Sequence, residues 1–154
     1  MGFGVVEERL GKAPAVLEAG VIAPKASLPL AERLLYLFTK LNEILDCHAP
    51  QEMALENIFV GRNVKAAFTL GQARGVAMLA AAHKNVSIYE YAPTSVKKAL
   101  VGSGHGDKEQ VRHMVCRLLS LDLGTAPLDV SDALSLAICH LNSRGLRNHM
   151  KGIA

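Results

Sequence analysis

Three carboxylates stand where a carboxylate is costly or conspicuous. Glu56 falls in the mostly apolar run Met53-Ala54-Leu55-Glu56-Asn57-Ile58, where strand alternation sets it on the face of Ala54 and Ile58. A charge there is expensive unless it is paired, bound to a cation or turned to solvent at the strand end. Asp129 and Asp132 are spaced i, i+3 and so share one helical face, directly before the apolar run 133–138. Their plain alternative is helix capping: Asp129 follows Pro127-Leu128 as a natural N-cap, and Asp132 in the first turn suits the helix dipole. The two roles are compatible. As ligands, Glu56, Asp129 and Asp132 offer hard oxygen donors of the kind Mg²⁺ prefers. Two such ions about 4 Å apart position a water and stabilise the leaving oxygen in phosphodiester cleavage, a chemistry built on several convergent carboxylates.

Basic and aromatic residues leave two readings open. Lys97, Lys98 and Lys108 are either solvated lysines or phosphate contacts. Arg74, on an otherwise apolar helix, either snorkels to solvent or meets a phosphate. Phe59 is either core or a stacking wedge. Other candidates fail on their own chemistry. The loop Gly102-Ser103-Gly104-His105-Gly106-Asp107 lacks the Gly-Lys-Ser/Thr of a phosphate-cradling Walker loop. His113-x-x-Cys116 and Cys139-His140 have no partners at zinc-ligand spacing and are read as coincidences of helix face.

The elements that must position these residues alternate in type. Residues 2–8 and 14–23 read as strands joined by a hairpin at Gly11-Lys12. Ser27-Leu28-Pro29 opens a helix, with Ser27 as the expected cap. Leu30, Leu34, Leu37, Leu41, Ile44 and Leu45 form its apolar stripe, and His48-Ala49-Pro50 ends it. A buried strand is expected over 52–58 and a helix over 64–82 with apolar residues nearly all round, which requires cover on more than one side. A strand over 86–91 follows, then a helix capped by Thr94 and running to Leu100, and two last helices over 108–119 and 130–142. The order ββαβαβααα predicts an α/β layered domain with helices against a mixed sheet.

Composition agrees. The chain has 154 residues, 50% hydrophobic and 20% charged, which favours a packed core over disorder. With 5% aromatics and no Trp, that core is aliphatic. Lys and Arg number 17 against 14 Asp and Glu, a net +3 compatible with a polyanionic partner. Three cysteines without CxxC spacing point to a reducing compartment rather than a disulfide framework. The opening MGFGVVEERL carries Glu7 and Glu8 where a secretory signal runs apolar, and Val6 where myristoylation requires Ser or Thr. The longest apolar stretch, 75–82, is far short of the ~20 residues of a membrane span. A cytoplasmic protein without a membrane partner is expected.

Ala54-Leu55-Glu56-Asn57-Ile58-Phe59, Leu70-Gly71-Gln72-Ala73-Arg74-Gly75 and Asp129-Val130-Ser131-Asp132-Ala133-Leu134 together resemble the RuvC-type crossover-junction endodeoxyribonucleases. Tyr89-Glu90-Tyr91 to Lys97 and Lys108-Glu109-Gln110-Val111 fit in order and spacing, so the resemblance runs from Gly2 to about Asn142. It implies an RNase H-like domain over 1–143 followed by a basic tail, 144–154. It also implies a homodimer, paired nicking of four-way (Holliday) DNA junctions in recombination and repair, and contact with the RuvA–RuvB branch-migration complex. The implied cofactor is Mg²⁺, as two ions, with Mn²⁺ as a substitute. Residue by residue, Glu56, Asp129 and Asp132 match three catalytic and metal-binding carboxylates. Lys97 and Lys108 match basic positions beside the site, Phe59 an aromatic near the junction centre, and Arg74 falls within a motif of the DNA-binding family.

One departure bears on activity. The family opens with an apolar strand ending in an essential Asp, just before the segment matched by Gly2-Phe3-Gly4-Val5-Val6, whereas Met1 stands there in this chain. In RNase H-like sheets that strand lies centrally, between the strands expected at 2–8 and 52–58, and its loss leaves backbone groups unpaired on both. Two expectations follow. Either the chain binds junctions with an impaired or inert metal site, or Met1 is not the native start and in-frame codons upstream encode the strand and its Asp.

Overall fold

Gly11, at φ 70°, turns the chain back on itself at no steric cost. The flanking strands β1 (Gly2–Glu7) and β2 (Ala15–Val21) pair antiparallel, from Gly2 opposite Val21 to Glu7 opposite Ala15, with a bulge between Val5 and Val6. The computed structural model describes residues 1–57, 64–104 and 106–151, with side chains to 145. After the hairpin come α1 (Leu30–His48), β3 (Glu52–Glu56), α2 (Val64–His83), β4 (Ser87–Tyr91), α3 (Pro93–Val101), α4 (Lys108–Leu118) and α5 (Leu128–Lys151). This is the expected element order and the expected α/β class. The described strands pair two by two, β1 with β2 and β3 with β4.

The chain divides into two compact units, Met1 with Ile22–Glu90, and Gly2–Val21 with Tyr91–Ala154. In the first, α1 buries Leu37, Leu41 and Leu45 at i, i+4 spacing, while α2 buries only the small Ala77, Ala80 and Ala81. The second unit is built around α5. Its core joins Val96 and Leu100 of α3, Val111 and Val115 of α4, Leu119, and Val130, Leu134, Ile138 and Cys139 of α5. β1 lies against the same helix so closely that its glycines are obligatory. A Cβ at Gly2 would collide with the carbonyl oxygen of Asp129, and one at Gly4 would stand 2.6 Å from Cδ2 of Leu134.

Helix starts differ from the expected ones. Ser27 does not cap α1: Pro29 takes that position without a side-chain cap, and its carbonyl accepts from the Arg33 amide at 3.0 Å. Thr94 does not cap α3 either, because Pro93 sits at its first position with Ala92 before it. At Pro93 the missing N–H falls in the first turn, where it needs no partner, and at Pro29 the ring-fixed φ of −52° leads the chain into the helix. Asp129 lies within the first turn of α5, which begins one residue earlier at Leu128 and runs past 142 to Lys151. β3 ends at Glu56. Ile58 and Phe59 fall in 58–63, outside the described residues.

Leu134 is fully buried at the centre of the second unit. Leu134→Ala is expected to cost about 2–5 kcal/mol, and Gly4→Ala about 1–3 kcal/mol through the clash with the same side chain. Urea unfolding measures both.

Candidate active site

The first two turns of α5 present the acidic pair. Helical periodicity separates its faces: Val130, Ser131, Leu134 and Ser135 are buried, whereas Asp129 and Asp132 are exposed. The buried hydroxyls are satisfied within the helix, Ser131 Oγ donating to the Leu128 carbonyl at 2.8 Å and Ser135 Oγ to that of Asp132 at 2.7 Å. Neither hydroxyl is therefore left to compete for the carboxylates. Lys108, the first residue of α4, brings its Nζ to 3.9 Å from Asp132 Oδ2, with both side chains half exposed or more.

A capping box fixes where Lys108 stands. Asp107 Oδ1 accepts from the Gln110 amide at 2.8 Å, and Gln110 Oε1 accepts from the Asp107 amide at 3.2 Å. The D-x-x-Q spacing was legible in the sequence and was missed there. Arg112, one turn further on, has no sequence signal at all. Its guanidinium donates to the carbonyls of Ala126 (2.8 Å), Leu123 (3.3 Å) and Gly124 (2.5 Å), and so fastens to α4 the loop that leads into α5. Lys97 is half-buried on α3, and its neighbour Lys98 is exposed.

In the first unit, Glu56 ends β3 as an exposed residue, the position its solvent-facing reading required. Arg74 of α2 reaches this strand end. Its Nη1 donates to the Glu56 carbonyl at 2.6 Å, and its Nη2 pairs with Glu90 Oε1 of β4 at 2.8 Å. Cys139-His140 belongs to the core of the second unit. The Tyr91 hydroxyl lies 2.7 Å from His140 Nδ1, and burial pushes the Cys139 thiol above its ordinary pKa.

The donor chemistry suits a hard divalent cation. Mg²⁺ is commonly held by one or two carboxylates together with water and substrate phosphates, and the exposed pair Asp129 and Asp132 supplies such a set. Among the described residues, no group of three or more His, Cys, Asp or Glu is gathered to hold a metal ion. No helix among them is long and apolar enough to cross a membrane.

Comparison with known proteins places these residues in a family context. The family model described as crossover junction endodeoxyribonuclease RuvC matches residues 1–140. A protein of that name from Caldicellulosiruptor saccharolyticus is 42% identical over 142 residues, covering 92% of this chain and 86% of the relative. Another, from Pelotomaculum thermopropionicum, is 45% identical over 139 residues, covering 90% and 84%. The solved structure of Thermus thermophilus RuvC in complex with Holliday junction substrate superposes with a TM-score of 0.85 at 33% identity, over 91% of this chain and 85% of that one.

Because the Lys108–Asp132 pair is long and solvated, Lys108→Ala is expected to change stability by less than about 1 kcal/mol. Denaturant midpoints of the two proteins check this.

Proposed function

This chain belongs to the crossover junction endodeoxyribonuclease RuvC family, and from that premise we propose that it nicks four-way DNA junctions in recombination and repair. The observation that carries the reading is the exposed i, i+3 pair Asp129 and Asp132, set on a buried helix with Lys108 beside it. Asp129 and Asp132 are the proposed metal-holding residues, with Glu56 the third candidate by its match to the family. Mg²⁺ is the proposed ion, as a pair, with Mn²⁺ as a substitute; when bound it supplies charge stabilisation at the scissile phosphate.

The chain's own residues account for the remaining steps. Lys97 and Lys108 bind backbone phosphates, and Lys108 brings one of them up to Asp132. Phosphate contacts of this kind set register on the DNA without reading sequence. The capping box holds Lys108 at the mouth of the site, and Arg112 holds the loop from which the acidic pair projects. Phe59 is the proposed wedge at the junction centre. The site of action is the cytoplasm, alongside the RuvA–RuvB complex that the family resemblance implies.

Pairing of two copies fits this reading, because symmetric nicking calls for two related sites. α2 supplies apolar residues for it: Val64, Phe68 and Leu79, on one helical face, are each 59–69% exposed. Exposed apolar residues gathered on one face fit such an interface.

Incubation of the purified protein with a labelled four-way junction, with and without Mg²⁺, tests the function. Paired nicks that require the metal are the outcome that supports the nuclease reading. A band shift without nicks would leave a junction-binding module in its place. Asp132→Asn is expected to lower cleavage at least about 100-fold while junction binding persists. Lys97→Ala and Lys108→Ala should each reduce the log–log salt slope of binding by about one. Light scattering should report a dimer for the native chain and a monomer for Phe68→Glu; a native monomer with an intact circular dichroism spectrum would refute the pairing.

A further inference from the structure

We infer that Arg74 is a positioning residue for Glu56, fixing the backbone from which that carboxylate projects, and not a phosphate contact. The inference rests on the proposed nuclease reading, since it concerns how one of the candidate ligands is aimed.

Chemistry at the strand end motivates it. Glu56 is the last residue of β3, where ladder pairing stops. A carbonyl at such a point takes its donor from a side chain or from water. Arg74 Nη1 supplies it at 2.6 Å, a charge-assisted bond and so among the stronger ones available. The same guanidinium is held from its other side, Nη2 pairing with Glu90 Oε1 at 2.8 Å. β3 and β4 are neighbours in one ladder, so the rigid fork of one side chain ties the end of one strand to a carboxylate on the next. Lysine, a point charge on a flexible stem, cannot hold both in fixed geometry.

Charge and exposure agree. Apart from Lys65, Arg74 is the one Lys, Arg, Asp or Glu of α2, and its side chain is only 17% exposed against 43% for Glu90. A cation drawn that far from water requires a partner, and Glu90 is that partner. With Nη1 and Nη2 both engaged and the side chain mostly covered, little of the guanidinium is left to meet a phosphate. Fixing the carbonyl of Glu56 limits rotation of its backbone, and hence the cone its carboxylate can sweep.

The test compares Arg74→Met, Arg74→Lys and Glu90→Gln with the native full-length chain. Three quantities are measured: single-turnover junction cleavage across a Mg²⁺ series, junction affinity across a KCl series without divalent metal, and amide hydrogen exchange of residues 52–57. For Arg74→Met, positioning predicts exchange about tenfold faster at the strand end and cleavage about 10–100-fold slower with a raised Mg²⁺ midpoint. It also predicts an unchanged salt slope. Arg74→Lys should recover little of the rate, and Glu90→Gln should shift exchange and midpoint the same way by a smaller factor.

A salt slope lower by about one in Arg74→Met, with bound junction cut at the native rate, would overturn the inference in favour of a phosphate contact. Unchanged exchange and an unchanged midpoint would overturn it too. If Arg74→Met fails to fold, Glu90→Gln decides on the same readouts, since its carboxylate is exposed. A native chain that binds junctions without cutting them sinks the nuclease reading alone. Exchange at 52–57 then still decides: faster in the variants sustains the positioning role, and unchanged refutes it.

Discussion

The second unit depends on one constraint: α5 must bury one face completely while its opposite face carries two carboxylates into water. A period of 3.6 residues makes this achievable on a single helix. Val130, Leu134 and Ile138 serve the core, and Asp129 and Asp132 flank Val130 in sequence but stay exposed. The other elements of the unit adjust to that face. β1 gives up side chains at Gly2 and Gly4 to lie against it. α3 and α4 pack Val96, Leu100, Val111 and Val115 onto it. Even the polar residues on the buried side, Ser131 and Ser135, turn their hydroxyls back to the helix's own carbonyls. The acidic pair, being exposed, therefore adds no buried charge to the core.

Arginine and lysine divide their tasks accordingly. Arg74 and Arg112 are both directed at backbone carbonyls, at a strand end and at the loop before α5. A delocalised, weakly hydrated guanidinium with several donors suits such partly buried bracing. Lys98 and Lys108 stay exposed, as strongly hydrated point charges do, and Lys108 with Lys97 forms the proposed DNA-facing set. The net charge of +3 does not show how these cations are placed: Arg74 and Arg112 brace backbone, whereas Lys98 and Lys108 face solvent.

Legibility in the sequence follows the same division between local and non-local physics. Apolar periodicity in α1 and the turn at Gly11 are local signals, and the element order read from them holds. Helix starts were less legible because hydroxyl and proline signals compete within two or three residues. At Ser27/Pro29 and at Pro93/Thr94 the proline defines the start. Asp129 looked like a cap for the same reason, and lies one residue inside the helix instead. The acidic pair was legible because i, i+3 spacing on an apolar helix is itself a local pattern. What Arg74 and Arg112 do was not, since their partners lie 11 to 18 residues away in sequence and, Glu90 apart, are backbone atoms without identity. The packing demand behind Gly2 and Gly4 is likewise visible only once β1 meets α5.

The central claim is that the open face of α5 is a metal-holding face, and anomalous scattering tests it most directly. Crystals of the protein soaked in Mn²⁺ should show an anomalous peak within coordination distance of the carboxylate oxygens of Asp129 or Asp132, and Asp132→Asn crystals treated in the same way should lose it. Manganese bound elsewhere with none at α5, or a peak that survives in Asp132→Asn undiminished, would contradict the account.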